Sequence, residues 1–422
     1  MRSVALLMGL LLLAGQPAAG QLSCGGGLDY VGQGRLDQQA GNFTAAVDAF
    51  TCALAVQPGN AEARAGLMES HILAGNISEA ILQANRLLDL DVAGFTTQYD
   101  RYAAALSANP ADTRARQYII MLNWVDARDE DVIQHANALL TAEPQNAYGL
   151  IMRASSYQFL GDPFNPMIDL QNALNLGGQD ADAYSVMGST FFQTGDEGSA
   201  YPLIEQALML DASDARSYYY RGRLWLDERN YSQAISDFST AIAYDPEYYD
   251  AYYDRGRANA LVGNLPAAQT DFSSALTYYP QFKLAFRDRG NVQEWQGNSL
   301  GAAPDYAQYV RLNTRLFYPP QQAIPGTPVL VSIEPNDAAV VQVALTAGQN
   351  ITITAEGNGV DPLLVLLAPD NTVVAGSDDP RIDVPSPVIQ SFVAPVDGMY
   401  TVQIASSDTA RAGQGTVSLM IR

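Results

Sequence analysis

A period of 34 residues constrains this chain more than any other feature. Gly188, Gly222, Gly256 and Gly290 fall 34 apart, and Ala200, Ala234, Ala268 and Ala302 keep the same step. Ala207, Ala241 and Ala275 form a third column, Phe238, Phe272 and Tyr306 a fourth, and Pro246 and Pro280 a fifth. A fixed period of this length marks a stack of small supersecondary units. The residue types say which unit. Two helices are joined by a short turn, such as Gly263-Asn264 or Arg229-Asn230. The glycine column lets the first helix approach the second closely, and the alanine columns do the same from the other side. Large residues before and after them, such as Tyr218, Tyr252 and Phe286, fill the gaps, and proline ends the second helix. Neither helix can bury its apolar face alone, so the units must stack.

At these columns the sequence resembles the tetratricopeptide-repeat family, most closely from Tyr218 to Pro246 and from Tyr252 to Pro280. The resemblance frames units at 27–60, 61–94, 113–146, 147–180, 181–214, 215–248, 249–282 and 283–316. It covers about seven-tenths of the chain and weakens where Met68 and Ile120 replace the small residue. Residues 95–112 break the period. They read as a second helix lacking its first, and so as a kink in the array, with a functional hinge as the alternative. In that family the first helices line the concave face through places two, five, nine and twelve of each unit. Carried over residue by residue, this implies a binding strip of Tyr219, Arg223, Tyr253, Arg257, Arg287 and Asn291, with Arg216, Asp250 and Leu284 beside it. Guanidinium forks recognise carboxylates and tyrosines offer rigid contact area, so an extended acidic or C-terminal peptide is one expected ligand. The other expectation is that these arginines pair with the chain's own Asp254 and Asp288.

After Phe317 the composition changes. Prolines 319, 320, 325 and 328 with Gly326 read as a stiff linker over residues 317–328. Beyond it apolar residues recur at every second place: Val341, Val343 and Leu345, then Ile351 and Ile353, then Tyr400, Val402 and Ile404, then Val417, Leu419 and Ile421. About eight short strands are expected, with turns at Ala347-Gly348-Gln349, Pro369-Asp370-Asn371 and Val396-Asp397-Gly398. Residues 329–422 are similar to the bacterial pre-peptidase C-terminal domain, a jelly-roll-like β-sandwich. The similarity rests on Val341 to Ile353, Asp361 to Leu366, Ser377-Asp378-Asp379, and Pro395 with Asp397 to Val402. No peptidase precedes the module, so a role in handling a substrate does not carry over. Solenoid and sandwich are expected to unfold separately.

The N-terminus reads as a secretory signal over residues 1–20. Arg2 is followed by the apolar run Val4 to Leu13 and the small residues Ala18-Ala19-Gly20. The solenoid then occupies 24–316. No later stretch is long and apolar enough for a transmembrane span. Cys24 and Cys52 are the only cysteines. An exported chain with an even count suggests a disulfide between them, and lipidation of Cys24 is the alternative. Against 45 acidic residues stand 23 basic ones, with Lys283 the only lysine, which argues against a nucleic-acid partner.

Only two histidines occur, His71 and His135, in separate units. Neither has the neighbours that acid–base or metal chemistry requires. No phosphate loop, nucleophile elbow or metal-spaced cysteine pair is present, so no catalytic residue, cofactor or metal is assigned. The acids around Asp378, with Asp361, Asp379 and Asp383, read as a polar loop, with a weak calcium site as the alternative. The sequence therefore predicts an α-helical solenoid followed by a small β-sandwich. It predicts an extracytoplasmic scaffold that binds a protein or peptide, with the cell surface as a further expected contact. A lipid-anchored envelope-assembly factor and a hydrolase built on a carboxylate pair are the rival readings.

Overall fold

The structure, a computed structural model, describes residues 24, 29–162, 164–177, 181–314, 316–317, 320–324, 329–333, 337–358, 362–378, 387–406 and 413–421. The signal segment lies outside them. Two compact units divide the chain, residues 1–217 and 218–422. Among the described residues there are seventeen α-helices and ten β-strands.

In the first unit the helices are α1 (Tyr30–Gln39), α2 (Phe43–Val56), α3 (Ala61–Ala74), α4 (Ile77–Leu90), α5 (Val92–Ala108), α6 (Thr113–Val125), α7 (Asp129–Ala142), α8 (Ala147–Phe159), α9 (Asn165–Gly177), α10 (Ala181–Gln193) and α11 (Glu197–Leu210). Asn60, Asp112 and Asn146 cap first helices by accepting the N–H three residues on. Glycine in the left-handed region ends several of them, as at Gly75 (φ 87°) and Gly195 (φ 84°). Cys24 and Cys52 are joined, with sulfurs 2.10 Å apart, which ties the chain entry to α2.

Residues 95–112 are helical as expected, within α5, but the helix takes the other place in the array. A Cβ on Gly94 would meet Ala61 Cβ, and further along Arg101 and Tyr102 both reach Glu69. α5 therefore runs parallel to α3 and stacks where the next first helix belongs. Glu69 already binds Arg35 of α1, so one buried carboxylate joins three stacked helices. The helix is a first helix lacking its second. Because helices alternate in direction, α6 then packs more against α4 than against α3.

The second unit begins within α12 (Ala215–Asp227), followed by α13 (Tyr231–Tyr244), α14 (Tyr249–Leu261), α15 (Leu265–Tyr278), α16 (Lys283–Trp295) and α17 (Ser299–Asn313). The glycine column behaves as its chemistry requires. A Cβ on Gly222, Gly256 or Gly290 would lie 2.7–2.8 Å from the ring of Phe238, Phe272 or Tyr306.

A second periodic feature also holds the units together. Arg221–Asp237, Arg255–Asp271 and Arg289–Asp305 are ion pairs between first and second helices, each at 2.7 Å. Arg153–Asp169 repeats this pair in the first unit at 2.7 Å. Each arginine also lies over an aromatic ring or reaches the preceding second helix, as Arg255 reaches Ser239 Oγ. Where a unit lacks the arginine it lacks the aspartate too. The same places hold Met187 and Leu203, Ile119 and His135, Leu67 and Gln83.

Strands β1 (Leu316–Phe317) and β2 (Gln321–Gln322) come from the proline-rich segment and run parallel against β4 (Asp337–Leu345). The remaining strands are β3 (Val329–Ile333), β5 (Asn350–Asn358), β6 (Pro362–Leu367), β7 (Val373–Asp378), β8 (Val388–Val393), β9 (Gly398–Ser406) and β10 (Gly413–Ile421). One sheet has the order β4-β9-β6-β7 beside β1 and β2, and the other β3-β10-β5-β8. Counting β3 as first of eight, these orders read 2-7-4-5 and 1-8-3-6, the double Greek key of a jelly roll. The alternating residues Val341, Val343, Leu345, Ile351, Ile353, Tyr400, Val402 and Ile404 fill the space between the sheets.

The strand β6 does not alternate, because both its faces are buried. Leu364 and Leu366 enter the inter-sheet core, while Leu363 and Val365 join Ala302, Tyr306, Tyr309 and Val310 of α17. Tyr309 Oη donates to the Ser406 carbonyl at 3.2 Å, and Ser377 Oγ donates to Glu294 Oε1 at 3.0 Å. The sandwich thus covers the apolar end of the helical stack, which every repeat array must shield from water. This shared core argues against separate unfolding of the two parts.

Candidate binding strip on the inner helices

The second unit brings the predicted strip residues together around two aspartates, the buried Asp254 and the half-buried Asp288. Tyr219 Oη donates to Asp254 Oδ2 at 3.0 Å, and Arg223 Nη1 donates back to Tyr219 Oη at 3.1 Å. Arg257 Nη1 donates to Asp254 Oδ1 at 2.8 Å, and Arg223 Nε lies 3.5 Å from Oδ2. One carboxylate therefore orients two guanidiniums. One unit on, the motif repeats in part. Tyr253 Oη donates to Asp288 Oδ2 at 2.7 Å, and Arg287 Nε donates to Asp288 Oδ1 at 2.8 Å. Rings hold both tyrosines in matching ways, Tyr219 against Tyr248 at 4.8 Å and Tyr253 against Phe282 at 4.7 Å.

The internal pairing expected as one alternative is thus present, and its depth matters. The Asp254 side chain is 4% exposed, whereas Arg223 and Arg257 are 32% and 43% exposed. The arginine side chains are the more exposed members of these pairs, and Asp254 lies beneath them. Burial opposes charge on Arg223 and Arg257, but Tyr219, Tyr253 and Asp254 outweigh it and hold both pKa values above the usual arginine range. Burial, reinforced by Asp254 and Asp288, pushes the Tyr219 and Tyr253 hydroxyls well up, so both remain donors.

Arg287 and Asn291 are engaged differently. With its amide nitrogen as donor, Asn291 reaches Asp378 Oδ2 at 3.2 Å, the Arg287 carbonyl at 3.3 Å and Tyr306 Oη at 2.9 Å. Tyr306 Oη in turn donates to Glu294 Oε2 at 2.7 Å. Asp378 belongs to β7, so the sandwich supplies an acid to this end of the strip. Sequence reasoning singled out Asp378 as a loop acid and had no signal for its placement beside α16. Its neighbours Asp361, Asp379 and Asp383 lie outside the described residues. Among the described residues no group of three His, Cys, Asp or Glu side chains could hold a metal ion.

The companion Arg216 falls in the first unit and is 2% exposed, bonded to Ser189 Oγ at 2.9 Å and lying over Trp124 at 5.6 Å. It offers nothing to a ligand at the surface. The histidines are apart, on α3 and α7. Burial lowers His71 to about 4, and burial with Arg116 lowers His135. No helix among the described residues is long and apolar enough to cross a membrane.

The tetratricopeptide-repeat family pattern matches twice, over residues 38–93 and 221–268. The chain therefore carries tetratricopeptide repeats, a fold consistent with a protein-binding scaffold. Among solved structures it is similar to the APC/C hetero-tetramer Cut9–Hcn1, with 13% identity over 67% of this chain and a TM-score of 0.48. It covers 52% of that chain, about half its length. The human IFIT1 dimer with m7Gppp-AAAA matches at 14% identity over 68% of this chain and 78% of its own, with a TM-score of 0.46. YrrB, a TPR protein with an unusual peptide-binding site, matches at 19% identity over 44% and 97%, with a TM-score of 0.31. No curated protein sequence matches the chain.

Proposed function

We propose that the chain is a non-catalytic, extracytoplasmic adaptor whose repeats bind an acidic or C-terminal segment of another protein. The observation that carries this reading is the layering at Asp254. A buried carboxylate fixes two arginines whose side chains stay partly exposed, and preorganised forks bind carboxylates at low entropic cost. Arg223 and Arg257 form the open part of the strip in this reading, over Tyr219 and Tyr253, which are buried and so brace the arginines instead of meeting the ligand as the sequence suggested, while Arg287 and Asn291 brace its end against Asp378. Export rests on the signal-like residues 1–20, and the Cys24–Cys52 bridge fits an oxidising compartment better than lipidation of Cys24. The jelly-roll order of the sandwich supports a pre-peptidase-C-terminal-like module, used here as a cap for the array and as a contact to the cell surface.

Capture from the producing cell's envelope fraction tests the reading. Unaltered chain should retain a partner, and Arg223→Ala with Arg257→Ala should weaken that partner's binding at least tenfold without loss of helical content. Equal binding by both would move the binding function to the sandwich.

A further inference from the structure

In the first unit, helices α4, α6, α8 and α10 touch one another in a closed ring, α10 returning to α4. These helices are buried over long continuous runs, such as Ser185 to Phe192 in α10. The position of α4 in this ring is unlike that of any other second helix. The place held by Leu82 is exposed in the other units, at Asp48, Gln134, Ile168, Pro202, Ser236, Thr270 and Pro304. Leu82 is 5% exposed, Ile81 0% and Ser78 4%. The face that a second helix ordinarily turns to solvent is here covered.

The start of α4 is held from a distance. Its own Asn76 makes no side-chain cap. Instead Asp182, the second residue of α10, accepts from Ile77 N–H at 3.0 Å and Ser78 N–H at 2.7 Å. A carboxylate more than a hundred residues away thus satisfies the orphan donors and complements the positive end of the helix. The inner places of the surrounding helices bear small polar side chains. Trp124 Nε1 donates to Ser155 Oγ at 3.0 Å, and Ser155 meets Thr190 at 2.7 Å. Such side chains let helices approach closely.

We propose that α6, α8 and α10 form a helix-binding groove, distinct from the arginine strip, with α4 as its resident occupant. The partner it fits is an amphipathic helix of the same chemistry. That helix would bring an uncapped N-terminus with a small residue like Ser78 to Asp182 and, one turn on, branched apolar residues like Ile81 and Leu82. It would replace α4 in the ring while α4 stays paired with α3.

A labelled peptide of residues 76–91 serves as the probe, with the full chain as receptor. Ile81→Ala with Leu82→Ala weakens the resident face and leaves the groove intact, so the peptide should bind this variant at least tenfold tighter than the unaltered chain. A peptide that itself carries Ile81→Ala with Leu82→Ala should bind this variant at least tenfold more weakly than the unaltered peptide. No binding to either folded chain, or equal binding to both, would overturn the proposal. Hydrogen exchange of the unaltered chain gives a reading that needs no variant. Saturating peptide should speed exchange at the Ile77 and Ser78 amides while α3 keeps its protection, and unchanged exchange there contradicts the groove.

Discussion

Replacing Leu363 with alanine should destabilise helices although the residue lies in a strand. Leu363 is fully buried and packs with Tyr306, Tyr309 and Val310 of α17, on the side of β6 away from the inter-sheet core. Truncation removes side-chain carbons worth about 2 kcal/mol of transfer energy at roughly 0.8 kcal/mol per methylene. The space left between sheet and helix adds to this, because neither layer can close fully on the other, so the total should be about 3 kcal/mol. The assay is urea unfolding followed by helical circular dichroism, with hydrogen exchange resolved along α17. The helical transition should shift to lower urea and α17 should exchange faster. Leu330→Ala, at a site 60% exposed, should move neither by a measurable amount. Loss confined to the β-signal, with α17 exchange unchanged, would refute the shared core and restore two independent modules.

The periodic ion pairs should respond to single and double changes differently. Asp237→Leu removes the carboxylate to which Arg221 and Trp225 donate and should cost about 3 kcal/mol, whereas adding Arg221→Met, which reproduces the Met187 and Leu203 pair, should recover most of it in thermal melts. Burial raises Asp182 from 3.8 to about 6 in the folded chain, so the folded state holds this proton more tightly than the unfolded one. The associated stability, roughly 3 kcal/mol, is present below about pH 4 and lost as pH rises through about 6. Asp182→Asn should remove that share of the slope, seen as a changing difference in urea midpoints between pH 4 and pH 7. Reduction of Cys24–Cys52 should lower the stability of α1 and α2 by about 3–4 kcal/mol in the chain-entropy picture. Thiol titration of the unreduced, denatured chain should find no free thiol.

The sequence carried the repeat architecture because close packing between helices demands small residues at fixed places. The glycine and phenylalanine columns mark those contacts directly. It carried the inter-sheet core for a similar reason, since a half-buried strand must alternate. What escaped were contacts between surfaces with no fixed period. The apolar run Pro362 to Leu367 was a readable sign that β6 is covered on both faces, but nothing in it names α17 as the cover. The Arg–Asp pairs were equally periodic and could have been found by searching charged columns at 34 residues. The lone helix kept no such signal. Its place beside α3 depends on Arg101 and Tyr102 meeting Glu69, a contact that only the folded chain brings together. At the strip, the sequence placed the arginines side by side and left open whether ligand or internal acid would meet them. Burial decided the layering, with Asp254 below and the arginine side chains above.

Photo-crosslinking with the captured partner tests the central claim most directly. A photo-reactive side chain placed at position 223 or 257 should give adducts with that partner, and one at position 236 or 270, on the exposed faces of α13 and α15, should give none. Adducts from 236 and 270 alone, or from the sandwich alone, would contradict a binding site on the inner helices.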